Sequence, residues 1–120
     1  VREEWVFFLD DDAYLPDEGL AEFERERARW PRAAAFGGPN LTPPSAPVFE
    51  QAIGRALSCR LATWFSVSRY RKQGTDRKCG EESLMLCNLF VRRSELDSDP
   101  FPASFVCAEE NWLLQTLSRK

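Results

Sequence analysis

The distribution of apolar and polar positions marks out an alternation of strands and helices. Residues 5–9, WVFFL, form an unbroken apolar run of aromatic and β-branched side chains. A run without polar alternation predicts a strand covered on both faces, as in a parallel sheet flanked by helices. Pro16 and Asp17 read as a helix start, with Asp17 as N-cap. Leu20, Phe23 and Trp30 then recur at helical spacing with Glu and Arg on the other face, and Pro31 ends the pattern. AAAFG (33–37) is a second short apolar run, closed by the turn chemistry of GGPNLTPP. Within 46–59, Phe49, Ala52, Ile53, Ala56 and Leu57 again follow a helical period. Residues 71–82, RKQGTDRKCGEE, are polar and contain glycine, so they read as a mobile loop. SLMLCNLFVRR (83–93) predicts a strand with Leu84, Leu86, Asn88 and Phe90 on one side and Met85, Cys87, Leu89 and Val91 on the other. After the turn-rich SELDSDPFP, residues 109–118, EENWLLQTLS, predict a helix: Leu113, Leu114 and Leu117 follow two acids that suit a helix N-terminus. This order implies an α/β layered domain whose first two strands need parallel neighbours.

Composition narrows the classes. At 120 residues the chain is at most one domain, and its apolar and charged fractions are those of an ordinary globular protein. A net charge of −3 argues against a general nucleic-acid binder. No apolar run approaches the roughly 20 residues of a membrane span. The chain opens at Val1 in a strand pattern, which suggests an internal segment of a longer protein. Cysteines stand at 59, 79, 87 and 107 without close pairing, and histidine is absent, so a structural zinc site is not expected. Cys59, Cys87 and Cys107 lie in apolar contexts and read as small core residues. A reducing, cytoplasmic setting fits them, with any membrane association supplied from outside this segment.

Candidate chemistry begins at FLDDDAYLP, where three aspartates follow the first strand. On an extended backbone Asp10 and Asp12 point to one side and Asp11 to the other. Two carboxylates about 4 Å apart repel by roughly 4 kcal/mol at an effective dielectric near 20. A divalent cation offsets that repulsion, and oxygen-only donors favour Mg²⁺ or Mn²⁺. An acidic loop capping the next helix accounts for the same residues. Glu109 and Glu110, ahead of the leucine-patterned helix, complement its dipole or place a carboxylate where a hydroxyl proton could be taken.

FLDDDAYLP, FGGPNLTPP, NLFVRRS (88–94) and AEENWLL (108–114), in this order, resemble the carboxyl-proximal part of a family 2 glycosyltransferase. The resemblance implies a partial GT-A, Rossmann-like layered sheet over residues 1–120, with the first half of the catalytic domain and its nucleotide-base pocket upstream. It puts Asp10 and Asp11 against a nucleoside-diphosphate-sugar donor, with Asp12 as direct metal ligand and Asp10 approaching the same ion. Glu110 stands where the family has its catalytic aspartate and Glu109 where it has the preceding glutamate, so either is a candidate base. Trp112 stands where the family commonly has an acid. Asn88 and Arg92, Arg93, Arg69 and Arg71 are the candidates for acceptor or phosphate contact. The implied reaction is inverting transfer to a hydroxyl of a sugar, polysaccharide or lipid-linked acceptor. Two other readings stand beside it: a Mg²⁺-dependent phosphoryl-transfer enzyme, and a non-catalytic fragment that forms homo-oligomers through an exposed sheet edge.

Overall fold

The structure is a computed structural model and describes residues 3–74, 76–104 and 109–119. Its sheet is built around the last strand to be made. β3 (Asn88–Arg92) lies between β1 (Trp5–Leu9) and β2 (Ala35–Gly37) and runs antiparallel to both. β1 and β2 therefore point the same way, as the crossover through α1 (Gly19–Arg29) leads one to expect, but they do not pair with each other. The expected parallel sheet is thus replaced by a mixed α/β arrangement with an antiparallel sheet. β1 is an edge strand, and its residues are only partly buried instead of covered on both faces.

Register assigns the side chains. Val6 and Ala35 pair with Val91, and Phe8 with Leu89, so these residues share one face. Phe7 and Phe36 both pair with Phe90 and share the other with Trp5. Helices cover each. On the aliphatic face, α4 (Glu109–Ser118) lays Leu113, Leu114 and Leu117 over Leu89 and Val91, whose side chains are 0 % exposed. Burying an aliphatic side chain to this extent stabilises the fold by about 1.5–3 kcal/mol. On the aromatic face, Phe90 is stacked at 4.0 Å between Phe7 and Phe23 of α1, and Trp5 and Phe36 meet Phe23 at an angle. Such pairs add about 0.5–1.5 kcal/mol each beyond area burial.

Several expectations are corrected. α1 starts at Gly19 after Glu18, and Asp17 is not its cap; the Gly19 N–H donates to the Pro16 carbonyl at 2.8 Å. Of its predicted apolar stripe only Phe23 is buried, whereas Leu20 and Trp30 are exposed, Trp30 because its backbone has already left the helix. The strand expected over 83–93 is shorter. Residues 85–88 turn, with the Asn88 N–H donating to Met85, and Leu84 and Leu86 are apolar because they pack against the core from outside the sheet.

α2 (Val48–Leu57) buries none of its residues. It leads into α3 (Arg60–Thr63) and a 3-10 helix, Trp64–Arg69. Cys59, between α2 and α3, is an exposed free thiol and not a core residue. Cys107 lies outside the described residues. The loop expected to be mobile is held at several points. Arg69 donates to the carbonyls of Glu81 and Glu82, Gln115 of α4 donates to the Glu81 carboxylate, and Arg29 pairs with Asp76 at 3.0 Å.

Candidate functional site

The C-terminal ends of β1 and β2 and the N-terminal end of β3 share one end of the sheet, because β3 opposes both neighbours. Asp10, Asp11 and Asp12 leave from β1 there, Gly38 and Asn40 leave from β2, and Cys87 and Asn88 enter β3. The aspartates are not extended. Residues 10–13 close a turn through the Ala13 N–H and the Asp10 carbonyl at 3.1 Å, so the i, i+2 argument for their convergence does not apply.

Two of the aspartates, Asp10 and Asp12, lie within electrostatic range of Cys87. Its thiol is buried and its pKa is raised, first by burial, next by the Asp10 carboxylate, and further by Glu110 and Asp12. Three carboxylates from opposite ends of the chain thus act on one sulfur atom. Asn40 donates its side-chain amide to that sulfur at 3.7 Å, and its backbone N–H donates to the Arg69 carbonyl at 2.7 Å. Glu110 is half-buried in the first turn of α4; Glu109 opens the helix, and its side chain lies outside the described residues. Asn88 pairs with Leu9 at the same end, and a Cβ on Gly38 would come within 3.3 Å of its amide nitrogen.

The arginines are elsewhere or otherwise engaged. Arg92 pairs with Trp5 at the far end of β1, four residues and about 13 Å along β3 from Asn88. Its guanidinium donates to the Pro31 carbonyl at 2.9 Å, reaches the Ala33 carbonyl, binds Glu4 and lies 4.5 Å over the Trp5 ring. Arg93 follows it and lines an open depression of about 490 Å³ with Glu3, Glu4 and Ser94. The structure therefore does not bring Arg92 and Arg93 to the aspartates. Arg69 clamps the 71–82 loop, and Arg71 is exposed beside it.

Among the described residues no group of three or more Asp, Glu, Cys or His side chains is placed to hold a metal ion. Asp10 and Asp12 are exposed and offer oxygen donors only. That set fits a hard cation which takes most of its shell from water and a substrate phosphate, and does not fit a cage completed by the protein. No helix of the described residues is long and apolar enough to cross a membrane.

The sequence marks Cys87 as a core residue, which its burial bears out, but neither it nor Asn40 as part of a site. Asn40 sat in turn chemistry and Cys87 in an apolar run, and only the shared direction of β1 and β2 makes them neighbours of the aspartates. No family model, curated protein or solved structure matches this chain.

Proposed function

We propose that this chain carries the metal- and base-bearing part of an inverting glycosyltransferase that moves a sugar from a nucleoside-diphosphate donor to an acceptor hydroxyl, on a GT-A-like domain. What supports the reading is that β1 releases Asp10 and Asp12 at the end of the sheet where Cys87 enters β3, with Glu110 in the first turn of α4 also raising the pKa of that thiol. Ligands of open α/β sheets bind beyond the C-terminal ends of strands.

Asp12, with Asp10, would hold Mg²⁺ or Mn²⁺; when bound, such a cation supplies positive charge against the departing diphosphate. Asp10 and Asp11 face the donor, and Asn88 lies on the acceptor side at the start of β3. Glu110 takes the proton of the acceptor hydroxyl while its oxygen bonds to the anomeric carbon and the bond from that carbon to the diphosphate oxygen breaks. A single displacement from the opposite face inverts the anomeric configuration without a covalent enzyme intermediate. Arg92 and Arg93 have no part in this assignment.

The test uses the complete protein, since the base pocket of such a donor belongs to the amino-proximal part of the domain. Calorimetric titration with nucleoside-diphosphate sugars is run with and without Mn²⁺, alongside a transfer assay. Asp12→Ala is expected to remove the Mn²⁺-dependent part of donor binding. Glu110→Gln is expected to keep donor binding and stop transfer. Donor binding that is indifferent to Mn²⁺ in both wild type and Asp12→Ala removes the metal assignment, and full turnover by Glu110→Gln moves the base role to Glu109 or elsewhere.

A further inference from the structure

α2 is amphipathic the wrong way round. Around its axis Phe49, Ala52, Ile53 and Ala56 share one side, at about 100° per residue. Gln51, Gly54 and Ser58 occupy the other, and these are the residues with inward partners. Gln51 donates to the Pro44 and Ala46 carbonyls, Ser58 to the Tyr70 carbonyl, and Gly54 rests against Thr42. The apolar side is left outward, with Phe49 76 % exposed. Beyond it, Leu61 is 89 % exposed, and Trp64 and Phe65 stand 65 % and 79 % exposed with ring centroids 6.0 Å apart. Trp64 takes a φ of 48°, which a bulky residue rarely adopts.

Charge indicates what this surface meets. The chain as a whole is acidic, with 19 Asp and Glu against 16 Lys and Arg. Between 48 and 72 the balance is reversed: Arg55, Arg60, Arg71 and Lys72 are exposed, against one carboxylate, Glu50. The bond from Ser58 to Tyr70 brings Arg71 and Lys72 to the C-terminal end of α2. We infer that α2, α3 and the Trp64–Phe65 pair dock this protein on an anionic lipid bilayer, with the outward apolar side entering the headgroup boundary and the cations meeting lipid phosphates. An apolar helix side bordered by arginines, with aromatic rings at its end, suits that interface. A second copy fits less well, because pairing this face with itself brings the excess cations of both copies together with only Glu50 from each to offset them.

Co-sedimentation with vesicles tests the inference. The complete protein is expected to sediment with vesicles of equal parts phosphatidylcholine and phosphatidylglycerol, much less with phosphatidylcholine alone, and less as salt rises. Each cation lost at the surface is expected to weaken partitioning about fivefold, so Arg55→Gln with Arg60→Gln costs roughly twenty-five-fold. Phe49→Ser with Ile53→Ser removes the apolar contact and should abolish sedimentation, with helix content by circular dichroism unchanged. Equal sedimentation with neutral and anionic vesicles, or none with either, overturns the proposal. So does unchanged partitioning of the arginine variant. A dimer in analytical ultracentrifugation that Phe49→Ser with Ile53→Ser dissolves assigns the face to a second copy instead.

Discussion

Gly54→Ala is a sensitive probe of which side of α2 faces inward. In a helix interior open to water, replacing glycine by alanine stabilises by about 1 kcal/mol. Here the added methyl would run into the Thr42 hydroxyl and stand 2.8 Å from Thr42 Cβ. The hydroxyl can rotate away; the Cβ cannot move without the backbone. That backbone is stiff, since Pro43 and Pro44 follow directly and restrict the residue before them. Overpacking of this kind costs about 1–3 kcal/mol, so the two effects together leave Gly54→Ala between neutral and destabilised by about 2 kcal/mol. In a Thr42→Gly background the obstacle is gone and the same substitution should stabilise by about 1 kcal/mol. Urea denaturation followed by circular dichroism, on wild type, both single variants and the double variant, gives the coupling directly. Stabilisation of equal size in both backgrounds would show that Gly54 faces water. The Phe49–Ile53 side would then be the buried one, and the bilayer-docking surface would disappear with it.

Two further outcomes follow from the site and its surroundings. The raised pKa of Cys87 means that its thiolate forms at higher pH than an ordinary thiol, so at neutral pH peptide mass spectrometry should find it alkylated by iodoacetamide more slowly than exposed Cys59, and Asp10→Asn with Glu110→Gln should speed it. The folded state holds that proton more tightly than the unfolded, so this group's contribution to stability is present at neutral pH and is lost as pH rises through the raised pKa; an unchanged alkylation rate of Cys87 in the Asp10→Asn, Glu110→Gln variant refutes the influence of the carboxylates on it. Arg92→Ala strands the half-buried Ala33 carbonyl and removes the stack on Trp5, and should lower stability by about 1–2 kcal/mol in urea denaturation while leaving the donor binding proposed above unchanged; a loss of that binding with unchanged stability would return Arg92 to the site.

Local patterns were legible where one short stretch decides its own conformation. WVFFL is β1 from Trp5 to Leu9, and EENWLLQTLS is α4 from Glu109 to Ser118. What could not be read was pairing. An apolar run indicates that a strand is wanted in a sheet but not which neighbour it will have, and β3 enters between β1 and β2 from far along the chain. The direction of an amphipathic side was equally hidden, since periodicity gives the stripe of α2 and only its partners decide that the stripe faces out. The arginines of NLFVRRS were placed by the same gap: residues next to Asn88 in sequence stand at the opposite end of a strand from it.

The antiparallel centre strand also explains how carboxylates so distant in sequence come to act on one thiol. Leu113 and Leu114 pack in one cluster with Leu89 and Val91, which holds α4 on the aliphatic face of β3. Glu110 precedes those leucines by about one turn, roughly 5 Å of helix. Cys87 precedes Leu89 by two residues, about 6.6 Å of strand. Both offsets are short, so the leucine cluster keeps the first turn of α4 close enough to Cys87 for Glu110 to raise its pKa. The position of Glu110 therefore follows from the leucine packing of α4.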